Sequence, residues 1–183
     1  MLIVNFNPFP TIETERLILR KILMSDAEEL FLIRSRIETM KYIGKPLATS
    51  ILEAVELIQK MDDNLENNLG IGWGVSLKNE SKIIGSIGYH RIEKDHYRAE
   101  IGYQLLPDYW NNGIMNEAIK TIINYGFNNM NLHSIEAKID PYNIASAQLL
   151  KKNKFISEAH FKENYFFNGK FIDTEIFSLL NKK

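Results

Sequence analysis

The chain has 183 residues, 45% of them hydrophobic, which is enough apolar surface for one globular domain with a substantial core. Its 22 basic and 23 acidic residues are mixed along the sequence and give a net charge of -1, which argues against binding to nucleic acid or to an anionic membrane. The absence of cysteine excludes disulfides, a cysteine nucleophile and thiolate metal sites.

The remaining compositional signals favour a soluble protein without a metal. The four histidines are scattered without the spacing of metal ligands. No apolar run approaches the ~18 residues of a membrane span, and the N-terminus lacks the basic start and the cleavage site of a signal peptide. There are no repeats and no low-complexity linkers. We therefore expect residues 1–183 to form one cytoplasmic domain.

The N-terminal third is predicted to form a strand followed by two helices. The segment RLILRKI (16–22) is strand-like. Ser25 and Glu28 have the spacing of a capping box, which predicts a helix over about 26–36. A second box with the same spacing begins at Ser50 and opens an amphipathic helix.

From residue 71 the hydrophobic period changes to two. The segments IGWGVSL (71–77), KIIGSIGYHRI (82–92) and RAEIGYQLL (98–106) are typical of strands. Because these three strands follow one another through short connections, we expect an antiparallel meander.

The next part of the chain is predicted to return to helical periodicity. Apolar residues three and four apart predict a helix over about 114–129, and HSIEAKI (133–139) is the next strand. This strand–helix–strand crossover makes two strands parallel within an otherwise antiparallel sheet. Asn143 is well placed to cap a helix that runs through Lys152.

The C-terminal segments FISEAHFKENYFF and KFIDTEIFSLL flank Asn168 and Gly169, a dipeptide that suits a two-residue type I′ turn because both positions favour positive φ. They are predicted to form a β-hairpin. The predicted order is β-α-α-β-β-β-α-β-α-β-β, a mixed α/β fold.

Two asparagines and a glycine stand between Trp110 and the first turn of the helix over 114–129, in DYWNNGIMNEAI (108–119). The unpaired N–H groups of a first helical turn, with the positive end of the helix dipole behind them, form an anion site. Gly113 would let the backbone approach a pyrophosphate closely. No Gly-Lys-Ser/Thr follows, so a Walker-type phosphate loop is not predicted.

Four segments, in this order along nearly the whole chain, resemble the GNAT acyltransferases and, among them, the RimJ/RimL type of ribosomal-protein N-acetyltransferase. They are FPTIETERLILRKILMSDAEEL, AEIGYQLLPDYWNNGIMNEAI, DPYNIASAQLLKKNKFISEA and YFFNGKFIDTEIFSLL. The resemblance implies a mostly antiparallel mixed sheet, about four flanking helices and a central pair of parallel strands splayed apart to bind acetyl-CoA. It also implies transfer of the acetyl group to a primary amine.

The resemblance further implies an acetyl-CoA site at the glycine loop. The family loop has Gln or Arg, two variable residues, Gly, one variable residue, and Gly or Ala, whereas this chain has Trp110 first and Met115 last. Asn143 matches a side chain that binds the pantetheine arm, and backbone N–H groups near Leu105 and Leu106 are expected to lack a strand partner and to polarise the acetyl carbonyl. The expected acetyl-CoA-binding residues are Leu105, Leu106, Asn111, Asn112, Gly113, Ile114, Met115, Asn116, Asn143 and Ser146.

Glu100 is the first candidate for the general base. Strand alternation places it on one face with Gln104, opposite the face that carries Tyr103. In some histone acetyltransferases that resemble this chain, a glutamate at the matching place is the base. The alternatives are a solvated strand glutamate paired with Arg98 or Arg91, and Asp108 as the base.

Ser146 is the candidate for assisting the leaving group. Many relatives carry a tyrosine seven residues after the asparagine of the N-x-x-S/A motif, but that position here is Leu150. Ser146 matches the serine that RimL-like enzymes place near the sulfur, where it would donate a hydrogen bond or relay a proton to the thiolate. The alternative is a helix serine that bonds only backbone groups.

The sequence does not select the acceptor amine. By resemblance, the N-terminal helices and the last hairpin wall the acceptor side, with Glu38, Trp73 and Tyr165 among their acids and aromatics. A protein N-terminus, such as that of a ribosomal protein, a polyamine, an aminoglycoside and an amino acid remain open. A non-catalytic CoA-binding module is the alternative to an enzyme, and a homodimer is an open alternative for the assembly.

Overall fold

A computed structural model describes residues 1–182, and these form one mixed sheet flanked by helices. The strands are β1 Ile12–Glu13, β2 Leu17–Lys21, β3 Ile71–Leu77, β4 Ile83–Glu93, β5 Arg98–Leu105, β6 Ser134–Ile139, β7 Ile156–Phe167 and β8 Lys170–Leu180. The helices are α1 Ala27–Ser35, α2 Ile37–Met40, α3 Ile51–Glu66, α4 Ile114–Asn128 and α5 Ile144–Lys152. The strand order is β1-β2-β3-β4-β5-β6-β8-β7.

The predicted fold class is confirmed. β3, β4 and β5 form the antiparallel meander, β5 and β6 are the parallel pair, and all other neighbouring strands are antiparallel. Asn168 and Gly169 both have positive φ between β7 and β8, as a type I′ turn requires. The two-residue strand β1 and the one-turn helix α2 were not predicted, because neither is long enough to show a hydrophobic period.

The helices cover the two faces of the sheet with separate apolar clusters. α4 and α5 pack with the strands in the larger cluster, where the Tyr89 hydroxyl also donates to the Ile122 carbonyl. α1 and α3 pack around Ile22, Ile83 and Leu106 on the other side. Within residues 1–182, no helix is both long and apolar enough to cross a membrane.

The start of α1 differs from the prediction. Ser25 does not cap this helix, because it lies inside a short 3-10 turn and the helix begins at Ala27. The Asp26 carboxylate organises the turn instead: it accepts the Leu23 N–H at 2.7 Å and both terminal nitrogens of Arg20 at 2.7 and 2.8 Å. The predicted capping box at residues 25–28 is therefore wrong.

The second capping box is only partly realised. Ser50 is the residue before α3, as predicted, but its side chain makes no capping hydrogen bond. Glu53 instead accepts the N–H and the hydroxyl of Thr49 at 3.1 and 2.6 Å. The Glu53 carboxylate therefore bonds Thr49, one residue before the predicted partner, Ser50.

Burial of Asp26 by itself would raise its pKa, but the hydrogen bonds from Arg20 and from the Leu23 N–H outweigh this and lower the pKa below its ordinary value. Asp26→Asn should therefore reduce the free energy of unfolding at pH 7 by about 1–3 kcal/mol, the cost of a buried charge-assisted hydrogen bond. Urea unfolding measures this change.

The exposed Asp95 provides the matched control, since Asp95→Asn should leave stability unchanged. Because the folded pKa of Asp26 is lowered, the difference between wild type and Asp26→Asn should be complete above pH ~4 and shrink as the pH falls through the folded pKa. Equal stability at pH 7 would contradict this role of Asp26.

Candidate active site

The parallel strands β5 and β6 are matched over three residue pairs and then separate. The pairs are Arg98 with Ser134, Ala99 with Ile135 and Glu100 with Glu136. Beyond them, β5 continues beside β4 through Leu105, and β6 continues beside β8. We call the space between residues 101–105 and 137–139 the β5–β6 gap.

The backbone of β5 directs alternate N–H groups into the β5–β6 gap. The Leu106 N–H donates to the Ile84 carbonyl at 2.9 Å, toward β4. Because N–H groups alternate sides along a strand, those of Tyr103 and Leu105 point to the opposite edge, which β6 has left. The prediction of an unpartnered N–H is therefore wrong for Leu106, whereas the Leu105 N–H has the expected direction.

The loop that follows β5 leads into α4 through Gly113, which has φ 74° and precedes the first helical residue. The first intrahelical bond runs from the Glu117 N–H to the Gly113 carbonyl. The N–H groups of residues 113–116 have no hydrogen-bond partner within the part of the chain that the structure describes. They give the N-terminus of α4 the unpaired N–H groups that the predicted anion site requires.

The carboxylate of Glu117 lies in this same helical turn, where it would repel an anion, but it is neutralised by the N-terminal strand region. Arg16 Nε lies 2.7 Å from its Oε2, and its Oε1 accepts the Arg16 N–H and the Thr14 hydroxyl. Burial opposes ionisation of Glu117, yet these bonds lower its pKa. Arg16 also donates to the Asn112 carbonyl at 2.9 Å, which adds a positive charge beside the loop.

The side chains at the start of α4 point mainly into the protein. Ile114 and Met115 are buried in the larger cluster, so Met115 does not obstruct the outer surface of the loop where a small residue was expected. The side-chain oxygen Oδ1 of Asn116 accepts from the side-chain amide of Asn153 at 3.1 Å, which connects α4 to the end of α5. Asn111 is exposed and has φ 60°.

Asn143 and Ser146 occupy the first turn of α5, which follows β6. The Asn143 side chain accepts the Ser146 N–H at 3.1 Å, so the predicted cap is confirmed. The Ser146 hydroxyl does not bond the helix backbone; it lies 2.6 Å from the Tyr103 hydroxyl, and Ser146 is 7% exposed. Sequence reasoning missed Tyr103, which it placed only on the face opposite Glu100.

Glu100 lies at the last matched pair, where the β5–β6 gap begins. Its Oε2 accepts from Lys138 Nζ at 3.1 Å and lies 3.8 Å from the Arg91 guanidinium. Lys138 also pairs with Glu136 at 2.9 Å. Burial lowers the pKa of Lys138, but the hydrogen bonds that it donates to both carboxylates outweigh this and raise the pKa, so Lys138 stays charged. Of the two arginines that the sequence offers as alternative partners, Arg91 lies near Glu100, whereas Arg98 bonds Glu136. Nothing in the sequence indicated Lys138 as a partner.

The other predicted side chains lie farther from this arrangement. Asp108 is exposed and pairs with Arg36 at 3.0 Å. Trp73 is fully buried and donates to the Pro10 carbonyl, so its expected place in an acceptor wall is wrong. The Tyr165 hydroxyl donates to the Gly44 carbonyl at 2.8 Å and joins the β7–β8 hairpin to the segment after α2.

A sequence profile of the acetyltransferase (GNAT) domain matches residues 16–156. The chain belongs to the GNAT acetyltransferase family. Its splayed parallel strands, glycine loop and helix N-terminus thus belong to an acetyl-CoA-dependent N-acetyltransferase.

Three proteins show the range of this similarity. The uncharacterized N-acetyltransferase YoaA of Bacillus subtilis is 37% identical over 96% of this chain and 99% of its own length. The crystal structure of the ribosomal-protein-S5-alanine acetyltransferase from Vibrio fischeri superimposes with a TM-score of 0.83 at 28% identity, covering 95% of this chain and 98% of that one. The spermidine N(1)-acetyltransferase of Vibrio cholerae is 25% identical over 92% of this chain and 95% of its own length.

The residues of this acetyltransferase fit the chemical groups of acetyl-CoA. Four N–H groups at residues 113–116, which have no partner among residues 1–182, suit a pyrophosphate. The β5 edge that faces the β5–β6 gap suits the amide groups of a pantetheine arm, since a strand edge offers backbone donors and acceptors. The hydroxyl of Ser146 lies on the far side of the same gap.

Proposed function

We propose that this N-acetyltransferase binds acetyl-CoA in the β5–β6 gap and acetylates the N-terminal amine of a protein, with ribosomal proteins as the leading acceptor class. The separation of β5 from β6 directly after Glu100 carries the proposal, since it sets backbone donors beside a carboxylate. The resemblance to RimJ/RimL enzymes, together with the similar Vibrio fischeri ribosomal-protein acetyltransferase, supports this acceptor class.

A polyamine is the second candidate acceptor. The spermidine acetyltransferase relative matches over nearly the full length of both chains. The exposed Glu38 of α2 and the acidic residues of the β7–β8 hairpin would attract a polycation as well as a protein N-terminus. Both candidates are primary amines, so the chemistry at the β5–β6 gap is shared.

Each chemical requirement has a residue at the gap. Bound acetyl-CoA supplies a thioester whose acetyl group transfers to an unprotonated amine. Glu100 removes the proton of the incoming ammonium, while Lys138 holds the carboxylate in place at 3.1 Å. The Leu105 N–H polarises the acetyl carbonyl, because it points into the gap rather than toward β4.

The remaining residues bind the rest of the donor. The N–H groups of residues 113–116 bind the pyrophosphate at the positive end of α4, with Arg16 beside them. The Asn143 amide nitrogen is directed to the pantetheine arm while its oxygen caps α5. Ser146 donates a hydrogen bond to the departing sulfur.

Acetyl-CoA should stabilise the fold, since a ligand that binds only the native state at a hundredfold excess over its Kd adds about 2.7 kcal/mol. Thermal melts with and without acetyl-CoA measure this. Gly113→Asp should abolish the shift, because the new carboxylate would occupy the anion site and pair with Arg16. A terminal nitrogen of Arg16 is 3.5 Å from the position of a Cβ at residue 113.

Gly113→Ala is the matched control, since it imposes the same positive φ on a side chain without adding a charge. It should lower the melting temperature of the free protein but keep most of the shift with acetyl-CoA. A wild-type melting temperature that saturating acetyl-CoA does not change would refute the proposed binding site.

Glu100→Gln preserves the shape of the side chain but removes the base. We expect kcat/KM near neutral pH to fall roughly 10²- to 10⁴-fold, with acetyl-CoA binding intact. The loss should diminish at high pH, where the acceptor amine loses its proton without assistance.

Glu136→Gln is the control, because Glu136 shares Lys138 with Glu100 but belongs to β6. It should change kcat/KM much less than Glu100→Gln does. A small effect of Glu100→Gln that is the same at every pH would transfer the role of base to Asp108 or to water.

The acceptor class is tested by release of the CoA thiol across ribosomal-protein N-terminal peptides, spermidine and aminoglycosides. For a protein acetyltransferase, kcat/KM for one peptide should exceed that for every small amine at least about tenfold, equal to ~1.4 kcal/mol of transition-state stabilisation. The same peptide with a blocked N-terminus is the control and should be inert. Preference for spermidine would replace the protein acceptor with the polyamine.

A further inference from the structure

The hydroxyl groups of Tyr103 and Ser146 form a contact that crosses the β5–β6 gap. Tyr103 lies on β5 three residues beyond the last pair that β5 shares with β6, and Ser146 lies in the first turn of α5. Their oxygens are 2.6 Å apart although the residues are 43 positions apart in the chain. This is the only hydrogen bond of either hydroxyl within residues 1–182.

The chemistry of the two hydroxyls sets the direction of this bond. A phenol is a stronger acid than an alkanol, and its oxygen lone pairs are partly delocalised into the ring, so it is the better donor and the weaker acceptor. Burial raises the pKa of Tyr103 to about 12, so the phenol retains its hydrogen at neutral pH. On these grounds the hydrogen between the two oxygens is assigned to Tyr103, with the Ser146 oxygen as the acceptor.

The hydrogen of the Ser146 hydroxyl is then left without an acceptor in residues 1–182. Ser146 does not donate to the helix carbonyl behind it, as an isolated helix serine often does. The hydroxyl can rotate only about its Cβ–Oγ bond, and the bond from Tyr103 restricts that rotation. That hydrogen is therefore free to bond an acceptor that enters the β5–β6 gap.

We propose that Tyr103 is a positioning residue, which orients the Ser146 hydroxyl so that it donates its hydrogen to the sulfur that leaves acetyl-CoA. The inference rests on the proposed function. In many relatives a tyrosine at the position of Leu150, on α5, places a phenol near the leaving group. In this chain the phenol near the leaving group belongs to Tyr103 on β5. Leu150 is fully buried in the apolar cluster and takes no part.

The atoms balance without ionising either hydroxyl. Glu100 releases the proton of the ammonium to water before the amine attacks. As the C–N bond forms and the C–S bond breaks, the second proton of the nitrogen passes to Glu100, and the sulfur leaves with the electron pair of the C–S bond. A thiol of pKa ~8.5 is a stronger acid than Tyr103, so a proton would not pass from Tyr103 to the thiolate. The Tyr103–Ser146 pair stabilises the thiolate by hydrogen bonding, and water later protonates it.

The test is the pKa of the CoA thiol bound to the protein, followed by the ultraviolet absorbance of the thiolate, which requires no turnover. Wild type should lower this pKa about one unit below ~8.5, as expected for a hydrogen bond to a charged group. Ser146→Ala should remove the shift. Tyr103→Phe, which retains the ring but not the hydroxyl, should remove at least half of it and lower kcat roughly tenfold with KM unchanged.

Tyr125→Phe is the matched control. Tyr125 is a partly buried tyrosine of α4 that packs against Trp73, with ring centroids 5.2 Å apart. Its substitution should leave both the thiol pKa and kcat unchanged. A wild-type thiol pKa in Tyr103→Phe would overturn the inference, as would an unshifted thiol in the wild-type complex. A protein that binds no CoA at all would instead refute the proposed function.

Discussion

The separation of two parallel strands is the constraint on which the rest of this site depends. Buried backbone N–H groups require partners, yet β5 leaves its neighbour after three matched pairs and keeps two N–H groups directed at the space between them. β4 and β8 continue to support the outer edges of β5 and β6, so the separation does not unravel the sheet. The edge of β5 is therefore unpaired in the middle of the sheet, and the amide groups of the acetyl donor can form hydrogen bonds with it.

Alternation along β5 assigns different chemistry to the two faces of the sheet. Glu100 and Gln104 lie on the face that meets α2, where Gln104 contacts Met40, and the Glu100 carboxylate is held there by Lys138. Tyr103 lies on the opposite face, against α5. Proton removal from an acceptor and stabilisation of the leaving sulfur can thus take place on opposite sides of one strand.

Local patterns in the sequence predicted most of the fold, and long-range contacts account for what was missed. The segments with a hydrophobic period of two predicted the strands, and Asn168-Gly169 predicted the last turn. The strand–helix–strand crossover predicted the parallel pair. Ser25 has the right spacing for a cap, but the turn is organised by the buried Asp26, which Arg20 bonds from β2. No local pattern could pair Tyr103 with Ser146 or Arg16 with Glu117, since each pair is formed by elements that only the folded sheet brings together.

A crystal structure of the protein with acetyl-CoA tests the proposed site most directly. We expect the pyrophosphate on the N–H groups of residues 113–116, the pantetheine arm in the β5–β6 gap and the sulfur beside Ser146. A cavity of about 280 Å³ between α1 and α3 is the alternative place for a ligand, and it is lined by both bases and acids, Arg34, Lys60, Glu53 and Glu56. Acetyl-CoA in that cavity, with the β5–β6 gap closed, would refute the proposed site.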